Sequence, residues 1–391
     1  MSHSVILSAR RTPIGRFLGG LSRVPSPQLG AVAIQAALED ASGSANRIDE
    51  CIMGCVLQAG LGQNPARQAG LKAGLSHELS AQTINKVCGS GLQSVMLADQ
   101  SIRAGDNSVV VAGGFENMSA APHLAHVRSG LKFGDGTLID HMAHDGLTCA
   151  FEEWGMGFAA EHTAEKVGVS REDMDAFSAR SHQRAAEATE QGWFASEIIP
   201  MEAKSIKQKA DVTQDEGIRG DSTAEGLGKL RPAFKKDGTV TAGNASQISD
   251  GAAAIVVASA EAAGELGVTP MARIVGTHTQ GVEPKNLFEA PGLGIEALLS
   301  RHGLSPSDVD LYEINEAFAA QAIANIRHLG LDEDKVNICG GGIALGHPIG
   351  GSGARVLTTL LHQMQRVDAK RGIASLCLGG GNAVSMLVER D

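Results

Sequence analysis

Apolar positions along the chain recur with two alternating periods. Short, nearly unbroken apolar runs, "SVILSA" from Ser4, "CIMGCVL" from Cys51 and "SVVVAGG" from Ser108, have the length and composition of strands buried on both faces. Between them the spacing becomes helical. The first helix is predicted to open at Ser26–Pro27, an N-cap followed by a proline at the first helical position, and to close at Gly43. "NPARQAGLKAG" from Asn64 gives a second, short helix. A third follows Cys88, with Leu92, Val95, Met96 and Ile102 on one face.

The end of the chain repeats this order. "ARIVGTHT" and "DLYEI" read as strands, "GIEALLSRHG" and "EAFAAQAIANIRHLG" as helices. "VNICGGG" then enters a glycine-rich loop carrying His347, "SGARVLTTLLHQMQR" is a helix, and "IASLCLGGG" and "AVSMLVE" close as strands. Residue identities barely repeat, but element order does, and in each end a reactive residue, Cys88 or His347, precedes the third helix. Strands alternating with helices predict an α/β fold with largely parallel sheets covered by helices on both faces.

The middle breaks the pattern. Residues 119–245 hold long polar and glycine-containing stretches, such as "PHLAHVRSGLKFGDGTLIDHMAHDG", and one well-signalled helix. That helix opens on a capping-box-like Ser170–Asp173 and carries Met174 and Phe177 on its apolar face. "GNASQISDGAAAIVVAS" from Gly243 returns to a buried strand that completes the first sheet. The chain therefore divides into 1–118 with 246–268, an insertion over 119–245, and 269–391.

Composition narrows the function classes. The 391 residues carry a net charge of −11, which argues against general binding to nucleic acid or anionic membranes. No apolar run approaches the ~18 residues needed to span a bilayer, and the apolar stretch Val5–Leu7 is too short for a secretory leader, so a cytoplasmic location is expected. Six cysteines in this length are no disulfide scaffold. Cys51 and Cys55 lack a second ligand pair and read as core; no metal site is expected. Glycine is abundant, at 49 residues, and clusters between apolar runs, where it would expose main-chain N–H groups to a ligand.

Four segments could carry chemistry: "NKVCGSG" around Cys88, "NEAFA" from Asn315, "GGGIALGHPIGGSGAR" around His347 and "CLGGGNA" around Cys377. A cysteine before a helix feels the positive end of the helix dipole, which would lower its pKa toward a nucleophilic thiolate. Singly, each residue also has an ordinary reading: Cys88 and Cys377 as buried hydrophobes, His347 as a satisfied polar group. Together they offer a nucleophile, a base and a second acid/base.

Over essentially its whole length the sequence resembles the thiolases, the acetyl-CoA acetyltransferases and 3-ketoacyl-CoA thiolases. The resemblance rests on "INKVCGSGLQSVML", "NEAFAAQ", "NICGGGIALGHPIGGSG" and "GIASLCLGGGNA", in order and at the family's spacing. It implies duplicated βαβαβαββ units forming a five-layered αβαβα core with an inserted loop domain. It implies reversible Claisen condensation of two acetyl-CoA, or thiolysis of a 3-ketoacyl-CoA, by a ping-pong route. Cys88 would carry the acyl group, His347 would activate it, and Cys377 would exchange the α-proton. Asn315 would hold a water in one oxyanion hole, and the N–H groups of Cys88 and Gly379 would form another. Ser246 and Arg219 would contact coenzyme A, with Leu147, Met156, Phe234 and Phe318 lining the pocket. Coenzyme A would be substrate, with no cofactor or metal.

"RSGLKFG", Arg128 to Gly134, resembles the loop through which family tetramers associate, so a homotetramer built as a dimer of dimers is expected. Two positions depart from the short-chain pattern. Gly155 stands where such members usually have histidine, and Leu287–Phe288 where they often have Met-Gly. Acyl-chain length is therefore open, and a longer-chain thiolase of fatty-acid β-oxidation is the alternative. A decarboxylating ketoacyl synthase is disfavoured by Cys377, and a non-catalytic lipid-binding relative by the retention of all four reactive residues.

Overall fold

A computed structural model describes residues 4–41 and 44–391. The first half runs β1 (Ser4–Arg11), α1 (Ser26–Asp40), β2 (Glu50–Gly54), α2 (Pro65–Lys72), β3 (Ser80–Ile84), α3 (Ser90–Ala104) and β4 (Val109–Asn117). After the insertion, which contains α4 (Met156–Val167) and α5 (Arg171–Glu190), β5 (Ser249–Ser259) completes it. The second half runs β6 (Ala272–Gly281), α6 (Ala290–Arg301), β7 (Leu311–Ile314), α7 (Ala319–Leu329), α8 (Ile349–Arg366), β8 (Arg371–Leu378) and β9 (Asn382–Glu389).

Hydrogen bonding links the strands in the order β7-β8-β9-β6-β1-β5-β4-β2-β3. Each half places its first strand beside its last, then its fourth and its second. In the first half β3 follows. In the second half the equivalent strand is reduced to a single parallel bridge, Tyr312 to Val336. The duplication expected from element order is thus present, with one strand worn down to a bridge.

The expectation of largely parallel sheets does not hold. Only β2–β3, β2–β4 and β7–β8 pair in parallel; β5 and β9 lie antiparallel to both neighbours, and β1 pairs β6 antiparallel. The reason lies in the connections. β9 follows β8 through a tight turn with Gly380 and Gly381 at positive φ, not through a crossover helix. β5 returns from the insertion rather than from a βαβ unit.

Strand periodicity distributes the core. On β4, Val109, Val111 and Phe115 pack with α1 and α2, whereas Val110 and Ala112 face α3 and α8. The α3–α8 layer also packs against Ile274, Leu376, Val384 and Met386 of the second half. Ile373 and Leu387 face away from it, toward α6 and α7. The layers are therefore α1–α2, sheet, α3–α8, sheet, α6–α7. Each fully buried aliphatic side chain contributes about 1.5–3 kcal/mol, and α8 buries nearly its whole surface because sheets lie on both sides of it.

Local expectations fare unevenly. Helix α1 begins at Ser26 itself, and the Ser26 hydroxyl accepts from the Asn117 N–H rather than capping the helix. Gly43, its expected stop, lies outside the described residues; the helix ends at Asp40. Strand β3 was not signalled by the sequence, because its residues are partly exposed and lack an apolar run. Helix α7 starts at Ala319, three residues later than "EAFAAQ" reads. The preceding Asn315 N–H bonds Ser375 O, and Gln321 Oε1 accepts from the Ala317 N–H. Ser170 and Asp173 do form a reciprocal capping box on α5. Cys51 and Cys55 are fully buried.

Candidate active site

Cys88 sits at the tip of the turn between β3 and α3. Val87, just before it, is held at φ 47°, a left-handed conformation that costs a β-branched residue about 1–3 kcal/mol. Ser90 offsets that cost: its hydroxyl donates to Val87 O at 2.6 Å and accepts from the Lys86 N–H at 2.8 Å. Asn85 Oδ1 accepts from the Val87 N–H at 2.9 Å. Gly89 lets the turn press onto the other half. A Cβ there would lie 2.3 Å from Leu378 Cδ2 and 2.8 Å from Val384 Cγ2.

That contact brings Cys88 to the end of β8. The N–H groups of Gly379 and of Cys88 itself both act on the Cys88 sulfur and favour its thiolate. Although Cys88 is only half-buried at the cavity, desolvation of its thiolate outweighs them and pushes the thiol up to about 12. The expectation that the helix dipole favours thiolate at Cys88 is therefore corrected. Cys88 precedes the first helical residue, Ser90, and desolvation of the charged form dominates. Cys377, the last but one residue of β8, is buried and its thiol is also pushed up, first by burial and then by the proximity of Cys88.

His347 lies between Gly346, at φ 110°, and Pro348, which caps α8. Its main-chain N–H donates to Gln247 O at 3.1 Å and Ser249 Oγ at 3.2 Å. Its Nδ1 lies 2.6 Å from Ser352 Oγ, whose own proton goes to Pro348 O at 2.9 Å. With that proton placed on Pro348 O, Nδ1 donates to Ser352 Oγ and Nε2 carries the lone pair that can act as a base. Burial, with Arg355 adding to it, lowers the imidazole to about 3, so His347 is neutral at physiological pH. Asn315 is fully buried beside it, with Nδ2 at 3.4 Å from Nδ1 and 3.5 Å from Nε2; among the described residues its Oδ1 has no partner.

Cys88, His347, Cys377 and Gly379 all line one cavity of about 630 Å³. Leu147, Met156, Phe234 and Phe318 form its walls, and Ser246 and Arg219 also face it. Asn315 does not line it but stands behind His347. Phe318 is the hub of the aromatic wall, with ring centroids 6.1 Å from Phe234 and 5.4 Å from Phe288. Leu287, Phe288 and Gly155 are lining positions too; a Cβ on Gly155 would meet only Leu147 O, at 3.9 Å.

Among the lining residues that the sequence did not single out are Arg16 and Phe17. Both are exposed, and nothing in "PIGRF" separates them from an ordinary loop. With Arg219 they give the cavity a basic, aromatic mouth on an acidic protein. Among the described residues, no group of three or more His, Cys, Asp or Glu side chains is placed to hold a metal ion.

The glycine clusters serve mainly packing rather than exposing N–H groups to a ligand. A Cβ on Gly91 would lie 2.7 Å from Ala354 N and 3.0 Å from Gly350 O, and one on Gly353 would lie 2.2 Å from Leu92 N. Glycine thus lets α3 and α8, which follow Cys88 and His347, touch backbone to backbone.

Comparison with known proteins bears on the same residues. The model of the family described as thiolase, N-terminal domain, matches residues 4–261, and that of thiolase, C-terminal domain, matches 268–390. The chain is 51% identical to the acetyl-CoA acetyltransferase of Cupriavidus necator and 51% identical to that of Escherichia coli, each over 100% of both chains. It is 49% identical to a probable acetyl-CoA acyltransferase of Staphylococcus aureus, again over 100% of both. The crystal structure of the Bacillus anthracis acetyl-CoA acetyltransferase superposes with a TM-score of 0.96 at 41% identity, covering 100% of this chain and 99% of that one.

Proposed function

This chain belongs to the thiolase family, and from that premise we propose that it is an acyl-CoA C-acyltransferase working through an acyl-Cys88 intermediate. The observation that carries the reading is the convergence of two thiols and a neutral imidazole on one cavity, drawn from both halves of the fold. The relatives' names support acetyl-CoA as donor and acceptor.

The proton inventory follows from the resting states. Both thiols rest protonated and His347 rests neutral. In the first half-reaction His347 Nε2 takes the Cys88 proton as the sulfur attacks the thioester carbon. The C–S bond to coenzyme A breaks, and Cys377 gives its proton to the leaving sulfur. Cys377 is now a thiolate beside an imidazolium, each charge stabilising the other. In the second half-reaction the Cys377 thiolate removes the α-proton of acetyl-CoA. The resulting carbanion attacks the acyl-Cys88 carbonyl, and the Cys88 sulfur leaves and regains its proton from His347. All three residues return to their starting states; read backwards, the steps are thiolysis.

The Gly379 and Cys88 N–H groups face one developing oxyanion. Asn315 and His347 serve the other, with Asn315 acting through a bridging water. One such donor is worth ~2.7–4 kcal/mol. Ser246, Leu147, Met156, Phe234 and Phe318 hold the pantetheine arm, and Arg219 its phosphates. Coenzyme A is substrate and product, and no cofactor is invoked. On this reading the catalytic halves are 1–118 with 246–268 and 269–391, and 119–245 is the coenzyme A-binding loop domain.

The enzyme is assigned to the cytoplasm; no described helix is long and apolar enough to cross a membrane. A homotetramer is favoured by the loop at Arg128–Gly134, where Leu131 is 52% exposed and Phe133 fully so. A dimer by light scattering at micromolar concentration refutes it. The activity itself is tested with Cys88→Ala, expected to abolish acyl transfer at every chain length. Retained turnover, or no covalent acyl adduct on wild-type Cys88, refutes the reading.

A further inference from the structure

One buried carboxylate has no counter-ion and touches both halves of the site. Glu116, near the end of β4, is 0% exposed and appears in no ion pair among the described residues. It is fully engaged all the same. Oε2 accepts from the Val56 N–H at 2.9 Å and the Gly350 N–H at 2.9 Å. Oε1 accepts from the Leu57 N–H at 3.0 Å and the Cys55 thiol at 3.4 Å. Four donors saturate the carboxylate, and three are rigid main-chain groups.

The donors come from two places that matter. Gly350 is in the first turn of α8, three residues after His347, where the helix dipole favours a negative charge. Cys55, Val56 and Leu57 form the turn after β2, and Val56 and Leu57 pack in one apolar cluster with Ile349 and Cys88. Gly350 is shaped for this contact. A Cβ there would lie 2.6 Å from Glu116 Oε2, 3.0 Å from Cys55 Cα and 3.1 Å from Phe115 O. The Gly350 carbonyl in turn sits where a Cβ on Gly114 would be, at 2.1 Å. A carboxylate on the first half thus holds the start of the helix that follows the second half's base.

We propose that Glu116 is a positioning residue for acyl transfer: by binding the α8 N-terminus and the 55–57 turn to β4, it fixes His347 relative to Cys88. It touches neither substrate nor reacting atoms, since it does not line the cavity. The inference rests on the acyl-transfer reading above. It goes beyond that reading by assigning the alignment of the two halves to a residue outside the four reactive segments.

Alignment errors act on the chemical step rather than on binding, and a displacement of about 1 Å can cost roughly 100-fold in rate. The variants are Glu116→Ala, which removes all four contacts, and Glu116→Gln, which keeps volume and sets an NH₂ group against main-chain donors. Rapid-quench mass spectrometry of acyl-Cys88 formation from acetoacetyl-CoA is run beside steady-state kinetics, per folded molecule. The acylation rate and kcat are expected to fall about 100-fold in Glu116→Ala and about tenfold or more in Glu116→Gln, with KM within threefold of wild type. If the alanine variant does not fold, the glutamine variant decides. Acylation within threefold of wild type in a folded variant overturns the proposal, as does a loss confined to KM. Absence of an adduct in the wild type instead refutes the acyl-transfer reading, so the two failures are told apart.

Discussion

Ser352→Ala isolates the group that sets the tautomer of His347. Ser352 Oγ is the 2.6 Å partner of Nδ1, and its proton is committed to Pro348 O. Removing it frees the neutral imidazole to carry its proton on Nε2, the nitrogen that must accept the Cys88 proton. It also removes a stabilising contact from the imidazolium formed during acylation. A hydrogen bond to a charged group is worth about 1.5–3 kcal/mol, so the acylation rate falls roughly 10- to 150-fold. Ser352 is buried and does not line the cavity, so KM for acyl-CoA is unchanged. The assay is rapid-quench acylation of Cys88 by acetyl-CoA, with thermal unfolding to count the loss of the Pro348 contact separately. An acylation rate within twofold of wild type in folded Ser352→Ala refutes the tautomer argument; a loss wholly in KM does so equally.

Three further outcomes follow. Gly91→Ala sets a methyl group 2.7 Å from Ala354 N and 3.0 Å from Gly350 O, so denaturant unfolding shows a loss of about 1–3 kcal/mol or more; an unchanged midpoint contradicts the packing. Because burial holds the Cys88 thiol up near 12, the thiolate fraction climbs as pH rises, and carboxamidomethylation of Cys88 accelerates about tenfold per pH unit from 7 to 10. A plateau near pH 8 contradicts the direction of that shift. Gly155→Val adds a side chain into open cavity at an extended position, φ −69°, leaving stability unchanged while lowering kcat/KM progressively, by ~1–3 kcal/mol per displaced methylene, as 3-ketoacyl-CoA chains lengthen. An equal drop for every chain length excludes Gly155 from the acyl pocket.

Which features were legible depended on whether their cause is local. Val109–Asn117 and Leu311–Ile314 announce themselves as strands because both faces are buried. Cys88, His347 and Cys377 stand out because each sits beside a glycine cluster, and Asn315 because it lies where a strand gives way to a helix. Pairing direction was not legible, since β5 joins its sheet from across the insertion and leaves no local mark. The Cys88 thiol was misjudged because the dipole can be read from the neighbouring helix, whereas desolvation comes from packing against a core cluster that includes residues of the second half, such as Leu378 and Val384. The glycines were seen, but their partners were not: Gly91 is explained by Ala354 and Gly353 by Leu92. Glu116 did carry a signal, a carboxylate closing the fully apolar run "VVVAGGF". Its meaning depends on Gly350, which only the fold brings near.

The place of β5 has a consequence for how the protein is made. It lies between β1 and β4, yet β4 ends at Asn117 and β5 begins at Ser249. A ribosome adding roughly 5–20 residues per second needs on the order of 10 s to cover that gap. During this interval β1 and β4 each present an unpaired edge to solvent, with no strand yet synthesised to fill the space between them. The nascent first half therefore waits for its central strand, and this interval, rather than release of the finished chain, is when its open edges are most exposed to mispairing.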